Sequence, residues 1–134
     1  MDKITKEQRS HVMRAIKSKD TKPERIVRSL AHSLGYRFRL HRRDLPGCPD
    51  LVFVRRNKVI FVHGCFWHGH ARCAAGHVPK SNSEYWSAKI QRNIARDERS
   101  VRRLRAAGWG VMTIWECQTR GIEGMVNRLR RFLQ

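Results

Sequence analysis

The segment from Val59 to Cys73, V-I-F-V-H-G-C-F-W-H-G-H-A-R-C, constrains this chain more than any other. Its first four residues are apolar, β-branched or aromatic, the composition of a buried strand. The remainder carries His63, Cys65, His68, His70 and Cys73, with Phe66 and Trp67 set among them. Loops are ordinarily polar. This one combines metal-ligating thiols and imidazoles with two large aromatic surfaces, so the fold must set the end of a strand beside a ligand cluster.

Charge narrows the partner. The 134 residues suit one domain, and 29 Lys and Arg stand against 11 Asp and Glu, a formal charge of +18. Such self-repulsion gives nothing to an enzyme of neutral metabolites. A polyanion binder gains affinity and association rate from it, because each phosphate neutralised releases counterions. Arg outnumbers Lys, which favours forked contacts to phosphates and base edges. Nucleic acid is therefore the expected partner, ahead of an anionic membrane or a ribosomal surface. The polar start, Met1 to Ser10, does not read as an export signal, and no apolar run approaches the ~20 residues of a membrane span. A cytoplasmic, nucleoid-associated protein is expected, whose four cysteines bind metal rather than form disulfides.

Along the chain, Thr5-Lys6-Glu7-Gln8 has the form of a capping box, followed by Val12, Met13 and Ile16 at helical spacing. The stripe is thin. Residues 1–19 read either as a helical arm lying on DNA or as a solvated amphipathic helix. Thr21-Lys22-Pro23-Glu24 opens a better helix, with Ile26, Val27, Leu30, Ala31 and Leu34 on one face and Gly35 as its stop. Tyr36 to His41 alternates apolar and basic residues, a half-buried strand. Asp44 to Pro49 is a turn-rich loop; Asp50 to Val54 is the next strand, and Arg55 to Lys58 turns the chain into Val59 to Val62. These three strands are expected to form an antiparallel meander. Ser81-Asn82-Ser83-Glu84 caps a long helix running to Gly108. Trp109 to Trp115 is the last strand, followed by Cys117 and a helix carrying Met125, Val126, Leu129, Phe132 and Leu133. The expectation is one α/β sandwich over 1–134.

Cys65, His70, Cys73 and Cys117 offer three thiolates and an imidazole, a donor set for a closed tetrahedral zinc site. The Cys-x4-His-x2-Cys spacing lets one loop wrap a metal, while the fourth ligand comes from the end of the last strand. Four protein ligands leave no open position for water, so the role is structural. The competing reading is buried cysteines beside a surface histidine. Asp50 opens a strand next to the one ending in His63, so its carboxylate and the 62–63 backbone can face one small oxygen-lined site suited to Mg2+. A turn aspartate is the plainer alternative.

The runs P-G-C-P-D-L-V-F-V, V-H-G-C-F-W-H-G-H, K-I-Q-R-N-I-A-R-D-E-R and W-E-C-Q-T-R-G resemble those of the very short patch repair endonucleases. These are DNA nicking enzymes of the restriction-endonuclease-like (PD-(D/E)xK) superfamily, and the resemblance runs from about the first helix to Arg120. It implies a sandwich with a mixed central sheet flanked by helices and a structural zinc site. It also implies a Mg2+-dependent nick in double-stranded DNA, 5′ to the thymine of a T·G mismatch left by deaminated 5-methylcytosine. By the same resemblance Asp50 binds the metal and Val62 ligates through its main-chain oxygen. His68 activates water with Asp97 as its carboxylate partner, and His63 and Glu24 complete the catalytic set. Phe66, Trp67 and Trp86 match aromatics that wedge into the DNA stack, Met13 lies on the DNA-binding arm, and Cys65, His70, Cys73 and Cys117 match the zinc ligands. A monomer is expected, with mismatch-repair proteins as possible partners.

The chain departs from the pattern in places. Val62-His63-Gly64 stands where most of the superfamily has Glu-x-Lys, which moves general-base work to histidine. Val62 replaces a small polar residue, and a main-chain ligand tolerates that. The run from His68 to Cys73 is one residue longer than usual, Cys48 replaces a basic residue, and the C-terminal tail is short. Trp86, on one face with Ile90 and Ile94, also reads as core, and His63 or His68 as a spare zinc ligand. Two other functions stay open: a same-fold nuclease cutting for defence without a mismatch, and a non-catalytic zinc-stabilised DNA-binding module.

Overall fold

The computed structural model describes residues 21–65, 70 and 83–134. The arm at 1–19 with Met13, the ligand-loop residues Phe66, Trp67, His68 and Cys73, and the cap at Ser81 lie outside the described residues. The described elements run α1 (Lys22–Ser33), β1 (Arg39–Leu40), β2 (Leu51–Phe53), β3 (Lys58–His63), α2 (Ser83–Ala106), β4 (Gly110–Trp115) and α3 (Ile122–Leu133), with 3-10 turns at Val54–Arg56 and Glu116–Arg120. None of the described helices is long and apolar enough to cross a membrane.

The four strands form one sheet in chain order. β1, β2 and β3 pair antiparallel, as their short connections require, and β4 pairs parallel to β3 after the α2 crossover. Period-two alternation then sorts the side chains. Leu51, Phe53, Ile60 and Ile114 face Val27 and Ala31 of α1 and Met125, Leu129 and Leu133 of α3. Val52, Val59 and Phe61 face Leu104 of α2 on the other side. The result is three layers with the sheet in the middle, the mixed α/β sandwich expected.

The first strand is shorter than its alternation suggested. Tyr36 and Phe38 are half-buried and pack edge-on and tilted against Phe53, yet only Arg39 and Leu40 enter the ladder. Gly35 at φ +92° stops α1, and His41 at φ +47° turns the chain off the sheet, so little extended chain remains between them. Asn57 adopts φ 52° and ψ 47° at the turn into β3, the left-handed conformation that asparagine tolerates. Arg56 donates to the Leu133 carbonyl at 2.6 Å and Lys58 to that of Phe132, satisfying carbonyls that the end of α3 leaves open.

The loop from Arg42 to Pro49, which delivers Asp50, is pressed against α2. Gly47 sits at φ +75°, and a Cβ there meets the Ser100 side chain at 2.8 Å and the Phe61 ring at 3.1 Å. Gly47→Ala should therefore destabilise the protein by roughly 1–3 kcal/mol through overpacking, with backbone strain in addition. Urea unfolding of the two proteins measures it; an unchanged midpoint would mean the loop can lift away at no cost.

Candidate active site

Two groups of side chains gather at the C-terminal end of β3, because β3 outruns β2 there. Leu51, the first residue of β2, pairs with Ile60, so Val62 lies beyond the ladder. The Asp50 side chain takes the place of a backbone partner: Val62 N–H donates to Asp50 Oδ2 at 2.6 Å. The N–H and C=O of a residue in a strand point to the same edge. The Val62 carbonyl therefore opens on the Asp50 side.

Glu24 reaches the same place from α1. Thr21 caps the helix, its Oγ1 accepting from the Glu24 N–H at 3.4 Å. The Glu24 carboxylate is buried and accepts from Arg28 at 3.1 Å, one turn along the helix. His41 stands between the carboxylates, with Nε2 3.6 Å from Glu24 Oε2 and Nδ1 3.6 Å from Asp50 Oδ1. Ligand atoms of Glu24, His41 and Asp50 all lie within 4.8 Å of one another.

Burial pushes the Asp50 carboxyl up to about 7. The Val62 N–H pulls it down, and the neighbouring Glu24 pushes it further up through its charge and a hydrogen bond. A carboxyl of raised proton affinity set beside a second carboxylate is a fitting receptor for a divalent cation, which would supply positive charge. Oxygen donors from Asp50, Glu24 and the Val62 carbonyl suit a hard ion such as Mg2+.

The second group comes from the parallel pair. Lys58 to His63 align one-to-one with Gly110 to Trp115. Carried two residues on, that register sets Cys65 opposite Cys117, which begins the descent through the 3-10 turn after β4. His70 completes the trio: its N–H donates to the Cys65 carbonyl at 2.9 Å, its ring stacks on Trp115 at 4.2 Å, and Nδ1 lies 3.5 Å from Cys117 Sγ. The three ligand atoms lie within 4.8 Å of one another, a spacing compatible with one tetrahedral ion. Two sulfurs and an imidazole nitrogen suit zinc.

His63 sits next to Val62 but faces the other side of the sheet. It is buried between Phe61 and Trp115, at 5.6 and 5.4 Å between ring centroids. It lines a cleft of about 480 Å³ with His70, Asp97, Glu98, Arg102 and Trp115. Asp97 and His63 are thus brought to one cavity from α2 and β3. Arg102 and Arg105 of α2 line the same cleft and give it positive charge, and Arg92, Arg96, Arg99 and Arg103 are exposed on the opposite face of the helix. Trp86, near the start of α2, is half-buried with its ring 5.0 Å from Tyr85, which is exposed, and Lys89 lies over both rings. The core reading of Trp86 is therefore only partly met.

The model of the family described as DNA mismatch endonuclease Vsr matches residues 1–74. Over 132 residues the chain is 52% identical to the type II nicking enzyme V.XorIIP of Xanthomonas oryzae, covering 98% of this chain and 96% of that protein. It is 44% identical over 126 residues to the DNA mismatch endonuclease Vsr of Escherichia coli, covering 94% of this chain and 78% of that protein. The chain belongs to the Vsr family. It is a DNA endonuclease, and the site at the end of β3 is to be read in those terms. The sequence reading missed His41 and Arg28 as members of the Asp50 group. The only hint in sequence was a charged Arg one turn after a Glu that the capping pattern had already accounted for.

The raised Asp50 value has a measurable consequence. In metal-free protein the native state holds a proton on Asp50 between about pH 4 and pH 7, where the unfolded chain has lost it. Stability from this group is therefore full below about pH 4 and is lost as pH rises through about 7. Asp50→Asn keeps the shape without the charge. At pH 8 it should be more stable than the wild type by on the order of 2–4 kcal/mol, and the gap should close by about pH 4. Urea unfolding at both pH values checks the sign; a gap independent of pH would show that Asp50 titrates normally.

Proposed function

We propose that this endonuclease nicks double-stranded DNA 5′ to the thymine of a T·G mismatch, with Mg2+ at Asp50 and a structural zinc ion at Cys65, His70, Cys73 and Cys117. The observation that carries the reading is the pair of carboxyls, buried Glu24 and half-buried Asp50, gathered at the Val62 edge in a chain of formal charge +18. Family membership and the mismatch named for the Escherichia coli relative support the substrate.

Phosphodiester hydrolysis requires an activated water, stabilisation of charge on the phosphorus and help for the leaving oxygen. Asp50 and the Val62 carbonyl would hold the Mg2+, which when bound stabilises negative charge on the scissile phosphate. His68 takes the proton of the attacking water, a contribution of roughly 10²–10⁴ in rate. Asp97 orients the base and stabilises its charged form, and His63 donates a hydrogen bond toward the phosphate. Phe66, Trp67 and Trp86 wedge into the stack beside the mispair, where unstacking costs least. Met13 lies with the arm on the duplex.

A second reading, nicking without a mismatch, draws on the names of the Xanthomonas oryzae relative and of a Neisseria meningitidis relative 40% identical over 133 residues, both type II nicking enzymes. One assay separates the two. Purified protein with Mg2+ is incubated with matched and T·G-mismatched duplexes of the same sequence. A nick confined to the mismatched duplex is expected; equal cutting of both overturns mismatch direction.

Asp50→Ala should abolish nicking while DNA binding, carried by Arg and Lys, stays close to wild type. A variant that still cuts at the wild-type rate would remove Asp50 from the reaction. Cys117→Ser should lose most of the bound zinc, about one ion per chain in the wild type, and lower stability severely. Metal analysis and thermal unfolding check this together; full zinc content in the variant would overturn the ligand set. Trp67→Ala should weaken binding to mismatched DNA by about ten- to a hundred-fold and leave matched DNA little changed, as a filter-binding comparison of the two duplexes reports.

A further inference from the structure

His41 occupies the centre of the Glu24–Asp50 group, and the family resemblance gives it no task. Its backbone is held at φ +47°, a left-handed conformation uncommon among non-glycine residues. That turn closes β1, lets the His41 N–H donate to the Asp50 carbonyl at 3.3 Å, and brings the imidazole beside the Asp50 carboxylate. On its other side, Arg28 Nη2 lies 3.0 Å from His41 Nε2 while also bonding Glu24. A guanidinium has five N–H donors and no acceptor. The contact must therefore be a donation to Nε2, and the ring proton sits on Nδ1, the nitrogen facing Asp50 Oδ1.

We propose that His41 is a positioning residue for Asp50: Arg28 fixes its tautomer, and its Nδ1–H holds Oδ1 while the Val62 N–H holds Oδ2. Each carboxylate oxygen keeps a further lone pair, and the two donors determine where those lone pairs point. This is the role that hydrogen-bonded partners of a metal-ligating carboxylate have, and it rests on the reading of Asp50 as the cation's ligand. The 3.6 Å separation is longer than a hydrogen bond; such contacts tighten when ion and substrate draw a site together. A direct ligand role for the imidazole is the competing outcome, because His41 belongs to the same group of ligand atoms.

The test uses the full chain and three variants. His41→Leu removes the donor at similar volume, His41→Gln keeps an N–H donor, and Arg28→Met removes the group that fixes the tautomer. Mn2+ binding without DNA, followed by electron paramagnetic resonance, is measured alongside the Mg2+ concentration giving half-maximal nicking. His41→Leu should weaken Mn2+ binding and raise the Mg2+ requirement about 10- to 100-fold, with His41→Gln within about threefold of wild type. Arg28→Met should shift both in the same direction, and combining it with His41→Leu should add little, since both act through one contact. Wild-type Mn2+ affinity in folded His41→Leu overturns the proposal. So does equal impairment of His41→Gln and His41→Leu, which would make the imidazole itself a ligand. Should His41→Leu fail to fold, wild-type Mn2+ affinity in Arg28→Met overturns it as well. Asp50→Ala is the control that keeps the two readings apart. If Asp50→Ala binds Mn2+ normally, the reading of Asp50 fails; if it loses Mn2+ while His41→Leu does not, only the proposal for His41 fails.

Discussion

Almost everything functional in this protein depends on the parallel pairing of β3 with β4. It is the most extensive strand contact among the described residues, aligning Lys58–His63 with Gly110–Trp115. β3 is central and β4 is the edge strand of the described sheet, with Ile60 and Ile114 buried on one face and Val59 and Phe61 on the other. A slip of one residue would exchange those faces and turn His63 from the α2 cleft to the α1 side. The hydrophobic alternation thus sets the register, and the register sets the chemistry: Cys65 meets Cys117, and His63 meets Trp115.

The carboxylate site follows from the opposite circumstance, a pairing that ends early. β2 starts too late to satisfy Val62, so an N–H that would otherwise want a backbone partner takes the Asp50 side chain. Placing a carboxylate there removes it from water and raises its proton affinity, and Glu24 nearby adds to the effect. Arg28 offsets part of that strain, and His41 fills the space between. The site thus carries a carboxyl held at a raised proton affinity beside a second carboxylate, an arrangement that an added cation would relieve.

Much of this was legible in the sequence, for physical reasons that differ by element. Period two in β3 and the helical spacing of α1 and α3 reported their buried faces directly, because burial is what the pattern encodes. The Cys-x4-His spacing anticipated that Cys65 and His70 stand close together, and the family resemblance pointed to Glu24 and Asp50. The extent of β1 was not legible: Tyr36 and Phe38 do pack inward, but His41 leaves the sheet, and a left-handed histidine has no signature in alternation. Arg28 and His41 were also missed. Each looks like one more basic residue in a chain of +18, and although Arg28 follows Glu24 by one turn, only the fold brings both to Asp50.

The parallel pairing also governs the order in which the protein can assemble. His63 and Trp115 are separated by about fifty residues of intervening chain, so closing that pair costs loop entropy before any local contact rewards it, whereas the β1–β2–β3 meander closes over short turns. Cys117 therefore stays remote from Cys65 and His70 until the crossover has docked. A nascent or unfolded chain presents its thiols separately, as weak and promiscuous ligands, and the complete cluster appears only with the finished sheet. The Cys65–His70–Cys117 trio is in this way a late product of folding, complete only once the second half of the DNA-cutting enzyme has arrived.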